Sequence, residues 1–167
     1  MERILIIGIQ GSGKSTFANK LGKKLNREVI HLDKHYYPHP HRWEHTQTKE
    51  EWRETVRNLT LKERWIMDGN YLSTLDLRVV RADTIIFFKF NKIFCLYNAL
   101  KRSFDKSQPF DKAEGNLNQI SFDLVKKIIT YNKKKVLDML EPHKNTKKIF
   151  VLENRKEANK LLEKLSA

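Results

Sequence analysis

The sequence predicts an α/β fold with five parallel strands in a single domain, and three observations carry that expectation. Apolar runs alternate with helical patterns along the chain, as in repeated strand–helix–strand units. The first run leads straight into Gly8-Ile9-Gln10-Gly11-Ser12-Gly13-Lys14-Ser15 and then an amphipathic segment, so a glycine-rich turn joins a buried strand to a helix. The chain has 167 residues with no internal repeat and no linker, which suits one domain.

Taken in order, Ile4-Leu5-Ile6-Ile7 reads as the buried first strand. Phe17, Ala18, Leu21 and Leu25 then share one helix face. Val29-Ile30-His31-Leu32 reads as a second strand ending at Asp33. A polar and aromatic stretch follows, broken by Pro38 and Pro40, before Trp52, Val56 and Leu59 mark the next helix. Trp65-Ile66-Met67 is a third strand closed by Asp68-Gly69, and 84–90 a fourth. Ile93, Leu96, Tyr97, Leu100 and Phe104 recur at the helical period. Residues 105–120 lose periodicity, and an aperiodic stretch of that length inside a domain is usually functional or mobile. Phe122, Val125, Ile129, Val136 and Leu140 then predict one long basic helix stopped by Pro142. Ile149-Phe150-Val151-Leu152 is the fifth strand, and Ala158, Leu161, Leu162 and Leu165 line a closing helix.

Composition narrows the class. With 40% hydrophobic and 32% charged residues, low-complexity disorder and collagen-like structure are excluded. Cys95 is the single cysteine, which leaves no intramolecular disulfide and no Cys-cluster zinc site. No apolar run approaches the ~20 residues of a membrane span. The opening Met1-Glu2-Arg3-Ile4 runs into a strand pattern without a signal-peptide layout, so a cytoplasmic protein with no membrane contact is expected. The net charge is +13, and residues 121–167 hold twelve Lys/Arg against six Asp/Glu. Such a surface attracts polyanions, either nucleic acid or a phosphorylated substrate, and a solvated helix face has the same composition.

The strongest chemical signal is the full G-x-x-x-x-G-K-[ST] match at 8–15. Glycines let such a loop wrap a phosphate, and its amides and the following helix N-terminus then point at the anion. Lys14 supplies a cation for the β- and γ-phosphates, and the Ser15 hydroxyl is placed to ligate Mg²⁺. Asp33 and Asp68 close the second and third strands. In open parallel sheets the ligand lies beyond the carboxyl ends of the strands, so both should face the crevice of Lys14. Asp68 then belongs near the Mg²⁺ shell, directly or through water, and Asp33 toward the acceptor or a metal-bound water. Helix or turn capping is the other role open to each.

With these residues placed, the chain resembles the small P-loop kinases, the group of adenylate, shikimate and gluconate kinases. It is more similar still to bacterial proteins labelled FlaR-type DNA topology modulation proteins. The residues that carry this are 4–16, His31-Leu32-Asp33, Trp65-Ile66-Met67-Asp68-Gly69-Asn70-Tyr71, Thr74-Leu75-Asp76-Leu77-Arg78 and Arg81-Ala82-Asp83-Thr84-Ile85-Ile86-Phe87. The resemblance implies a P-loop NTPase three-layer sandwich with the sheet in the order 2-3-1-4-5 and a helical lid. It implies one domain over 1–167, with an acceptor-binding segment at about 34–60 and a lid at about 103–121. Its chemistry would be phosphoryl transfer from ATP with Mg²⁺ to a small acceptor. Carried over by position, Lys14, Asp33 and Arg102 are the catalytic candidates. Gly11, Ser12, Gly13, Lys14, Ser15, Thr16 and Arg155 would bind the nucleotide, Asp33 and Arg78 the acceptor, and Ser15 and Asp68 the Mg²⁺. The chain departs from the pattern in its lid, where 103–120 contain no arginine and only Lys106 and Lys112.

Two classes of function follow. The first is ATP-dependent phosphoryl transfer to a small acceptor, with a nucleotide or nucleoside as the leading guess. The second, motivated by the charge and the arginine-poor lid, is a nucleotide-dependent nucleic-acid-binding or regulatory protein, with a slow NTPase behind it. In the first, contact with nucleic acid is weak and non-specific. His31, His35, His39, His41 and His45 fall within fifteen residues and invite a metal hypothesis, although the prolines prevent a helix that would align them. Tyr36, Tyr37 and Trp43 suit either stacking on a ring or the apolar side of a subdomain.

Overall fold

The computed structural model describes residues 1–107 and 109–165. Strands β1 (Arg3–Gly8), β2 (Val29–His31), β3 (Trp65–Asp68), β4 (Thr84–Phe88) and β5 (Lys148–Leu152) form one parallel sheet in the order β2-β3-β1-β4-β5. Consecutive strand residues point to opposite faces. Ile4, Leu5 and Ile6 of β1, like Ile85 and Ile86 of β4, are nevertheless all fully buried, so both faces are covered. At about 1.5–3 kcal/mol for each large apolar side chain removed from water, the inner strands read as unbroken apolar runs. The edge strand β5 is half exposed and opens on Lys148, a charge that discourages further pairing.

Helix α1 (Lys14–Lys24) buries Phe17, Ala18 and Leu21 and helix α8 (Arg155–Lys164) buries Ala158, Leu161 and Leu162, while Leu25 and Leu165 cap their ends partly buried. Helix α3 (Lys49–Thr60) begins with a capping box between Thr48 and Glu51 and buries Trp52 and Val56. A 3-10 turn at Leu72–Thr74 and helix α4 (Leu75–Arg81), for which the apolar pattern predicts no element, precede β4. No helix among the described residues is long and apolar enough to cross a membrane.

Three expectations need correction. Strand β2 stops at His31, opposite Asp68, where β3 also ends. With no further partner the chain coils into α2 (Leu32–Tyr36), so Asp33 is a helix residue rather than a strand end. Strand β4 stops at Phe88 rather than at residue 90, because its partner β1 ends at Gly8 where the glycine-rich loop begins. The long basic helix is two helices, α6 (Phe122–Ile129) and α7 (Lys133–Leu140). Between them Tyr131 turns inward and is buried, and Asn132 caps α7 by accepting a hydrogen bond from Lys135 N at 2.9 Å.

Helix α5 (Lys92–Ser103) forms as its periodicity predicts but presents its apolar stripe outward: Ile93 is 79% exposed and Tyr97 62%. Its small residues Cys95 and Ala99 face inward instead. The reason is close backbone approach to the glycine-rich loop, where a Cβ on Gly11 would lie 2.1 Å from the Cys95 carbonyl oxygen.

Candidate active site

The glycine-rich loop leaves β1 and enters α1 with Gly11 and Gly13 at φ +82° and +88°, a region open to glycine at little cost. Helix α1 has no side-chain cap and no acidic residue in its first turn. Helices α3, α5, α6, α7 and α8 are capped by Thr48, Asn91, Ser121, Asn132 and Asn154. The amides and positive dipole end of α1 are therefore left for an anion. Ser12 Oγ and Gln10 Oε1 are buried without a hydrogen-bond partner among the described residues, as polar groups of a ligand cradle are. The loop is braced from behind by Asn98 of α5, whose Nδ2 donates to the Gly11 carbonyl at 3.0 Å and whose Oδ1 accepts from Arg155 Nη2 at 3.3 Å.

Beside the loop, parallel pairing of β2 with β3 sets His31 next to Asp68. Both are buried, and His31 Nδ1 donates to Asp68 Oδ2 at 3.1 Å. Burial alone would push the Asp68 carboxyl up. The His31 hydrogen bond, the Lys14 charge and the Ser15 hydroxyl outweigh it and hold the group below the ordinary carboxylate value of 3.8. The ionised form therefore adds stability above that pH, which is lost as pH falls through the lower folded-state value. Asp68→Asn is expected to be less stable than the parent at pH 7, with the gap closing as pH drops below 3.8; acid titrations of Tm for both proteins check this. A gap constant with pH would mean that the charge contributes nothing.

Across the cavity, Asp33 accepts a hydrogen bond from the Tyr71 hydroxyl at 2.7 Å and an ion pair from Lys112 Nζ at 3.4 Å. Burial and the Asp33 charge both push the Tyr71 hydroxyl well above the usual phenol value, so it stays a donor. Lys112 also lies over the Trp43 ring, 4.6 Å from its centroid. The aperiodic stretch that carries Lys112 is tied to the segment after α2. His41 N donates to the Glu114 carbonyl at 2.7 Å, and Asn116 Nδ2 donates to the carbonyls of His39 and Arg42 at 3.2 and 3.0 Å. The resulting cavity of about 690 Å³ is lined by Lys14, Ser15, Asp33, Asp68 and Arg102 together, with Tyr36, Tyr37, Trp43 and Tyr71 on one wall.

Solved structures share this architecture. A shikimate kinase from Acinetobacter baumannii in complex with shikimate superposes with a TM-score of 0.57, covering 99% of this chain and 90% of its own, at 16% identity. A shikimate kinase from Bacteroides thetaiotaomicron gives 0.53 over 98% of this chain and 95% of its own, at 19% identity. Deoxyadenosine kinase from M. mycoides with bound dCTP gives 0.51 over 98% of both chains, at 16% identity. The fold is that of the P-loop kinases. No protein-family model and no curated protein sequence matches the chain.

Within this P-loop kinase fold the predicted residues divide. Gly11, Lys14, Ser15, Asp33, Asp68 and Arg102 line one cavity. Ser12 is buried in the loop, and Thr16 is exposed on the first turn of α1. Arg155 stands beside the loop, bonded to Asn98 and 5.1 Å over the Phe94 ring. Arg78 is placed apart from them. It is fully buried, and its guanidinium donates to the carbonyls of Gly69 at 2.8 Å, Tyr71 at 2.5 Å and Thr74 at 3.2 Å. It braces the 69–74 turn that walls the cavity.

Sequence reasoning offered His31 only within a histidine cluster, without its pairing to Asp68, and passed over Asn98. His31 lay in an apolar strand and Asn98 in an apolar helix, and a polar residue where period demands an apolar one was the available signal. The five histidines at 31–45 do not converge. His31 pairs with Asp68, His45 stacks on Tyr36 at 3.6 Å, and His39 faces Thr46. Among the described residues no group of three or more His, Cys, Asp or Glu is placed to hold a metal ion. Tyr36 packs with Trp52 and Tyr71 as the apolar side of a subdomain would, while Tyr37 meets Trp43 edge-on at the cavity wall. Cys95 is fully buried, and burial pushes its thiol up to about 11, so it is no nucleophile.

Proposed function

We propose that the protein is an ATP-dependent kinase that transfers the γ-phosphoryl group to a hydroxyl of a small acceptor, a nucleotide or nucleoside. The observation that carries this is the one cavity lined together by Lys14 and Ser15 of the glycine-rich loop, Asp33 and Arg102. Gly11, Ser12, Gly13 and Thr16 frame the triphosphate, and Arg155, packed on Phe94, flanks the nucleotide. Lys14 and Arg102 offset charge on the transferring group, and Asp33 orients the acceptor hydroxyl and takes its proton. The donor set suits Mg²⁺, a hard cation that prefers oxygen ligands: Asp68 is held ionised, and its Oδ1 is buried with no hydrogen-bond partner among the described residues. Ser15 and Asp68 would hold the ion, which supplies charge neutralisation along the phosphates. The single domain is read as an acceptor segment at about 34–60 and a lid at about 103–121, with the backbone hydrogen bond from His41 to Glu114 as the clasp.

The similarity to FlaR-type proteins and a cytoplasmic site of action belong to the same reading. The test is acceptor-dependent ADP release from Mg-ATP. Asp33→Asn is expected to lower kcat by roughly 10²–10⁴-fold, the usual contribution of a positioned acid or base, with Mg-ATP affinity little changed by calorimetry. Equal turnover in both proteins would remove Asp33 from the mechanism. DNA affinity that is tight at physiological salt and responsive to Mg-ATP, without any acceptor phosphorylated, would favour the nucleic-acid-binding alternative.

A further inference from the structure

The charges around the acceptor end of the cavity set a limit on what can enter it. Arginine there would mark a phosphorylated or carboxylated acceptor, since its planar fork matches such anions. Arg78 is committed to three backbone carbonyls, Arg53 is paired with Asp76, and Arg42 lies at the surface near Glu44. Arg102 and Lys14 belong to the phosphate end, where both charges act on the Cys95 thiol under the loop. The acceptor end holds Asp33 and the buried Asp111, and Tyr37 there feels the charges of Asp33 and Asp123. Its cations stand beside carboxylates. Lys112 is paired with Asp33 and lies over Trp43, and Lys127 follows Asp123 by one turn of α6, the spacing at which opposite charges are neighbours.

The walls have a complementary character. Tyr37 and Trp43 offer ring surface, and Asn118 and Gln119 bring side-chain amides that both donate and accept. Flat rings with polar edges and hydroxyls suit such a chamber, whereas a second phosphate would sit against the carboxylates of Asp33 and Asp111.

We infer that the acceptor is an unphosphorylated, nucleoside-type compound, a flat heterocycle bearing free hydroxyls, and that the acceptor end of this cavity discriminates against the corresponding monophosphate. This rests on the phosphoryl-transfer reading above and decides between its two leading acceptors. In the step itself the acceptor hydroxyl oxygen bonds to the γ-phosphorus as the bond from that phosphorus to the β–γ bridging oxygen breaks. The bond's electron pair leaves with the nucleoside diphosphate, and the hydroxyl proton passes to Asp33 and then to solvent.

The experiment is calorimetry of the full chain with a panel of ribo- and deoxyribonucleosides and the matching 5′-monophosphates, in the presence of Mg²⁺ and a non-hydrolysable ATP analogue. At least one nucleoside is expected to bind roughly tenfold or more tightly than its own monophosphate. Asp33→Asn should narrow that ratio and Lys112→Met should widen it, because one removes a negative charge and the other leaves it unmatched; a merely structural role would not move the ratio in opposite directions. A monophosphate that binds as tightly as its nucleoside, or a panel in which no nucleoside binds, overturns the inference. ADP release on the same panel separates this from the parent reading. Phosphorylated monophosphates would sink the acceptor class and keep the kinase, while nucleosides that bind as expected but are never phosphorylated would sink the kinase and keep the pocket's preference.

Discussion

Lys14→Ala should abolish most phosphoryl transfer while leaving the fold intact. The ammonium stands at the first turn of α1, facing a helix end without a side-chain cap or an acidic residue. Removing a group that meets charge developing in a transition state costs roughly 10²–10³-fold in turnover. Mg-ATP affinity should fall as well, since the same cation meets the ground-state phosphates. A second readout is independent of catalysis. The Lys14 charge helps to hold the Asp68 carboxyl down, so the variant should let that group rise and should lose stability at a higher pH on the acid side. Calorimetry with Mg-ATP, ADP release and acid titration of Tm measure the three effects. Unchanged nucleotide affinity and turnover would refute the phosphate site.

Arg78→Met is expected to be the most destabilising single change among the site residues predicted from the sequence. Burial pushes the Arg78 guanidinium down to about 10, which still leaves it charged at neutral pH, and it donates to three carbonyls of the 69–74 turn, of which that of Tyr71 also accepts from Thr74. Stranding buried carbonyls costs about 1–3 kcal/mol apiece. With partial relaxation, a loss of about 3 kcal/mol or more is expected, or a fall in Tm of roughly 6–12 °C for a chain of this size. Activity should fall as a consequence, because Asn70, Tyr71 and Ser73 wall the cavity. A variant with parental Tm and a raised KM for the acceptor alone would instead return Arg78 to direct contact with substrate. Differential scanning calorimetry beside acceptor kinetics distinguishes the two.

Arg78 also shows where reading a sequence stops. By position it resembled an acceptor ligand, and nothing in Leu75-Asp76-Leu77-Arg78 says whether the side chain turns to the cavity or inward. The direction was decided by the carbonyls of the 69–74 turn, whose convergence on Arg78 is visible only when the chain is folded. Asp33 is a similar case. Its place beside the cavity was legible from the strand before it, but its helix follows from β3 ending at Asp68 and leaving Leu32 without a strand to pair with.

What the sequence determined by itself is local or periodic. The glycine-rich loop is a contiguous run whose glycines and lysine lie within one turn, and the inner strands β1 and β4 are runs of apolar residues whose burial on both faces needs no knowledge of their neighbours. The tertiary structure alone decided the contacts between segments far apart in the chain. These are the pairing of His31 with Asp68, the bracing of Gly11 by Asn98, the outward stripe of α5, and the pairing of Lys112 with Asp33. Each depends on strand order and on how closely backbones approach. Residues 37 to 87 positions apart in sequence meet because the sheet brings them together, and no short-range pattern encodes that meeting.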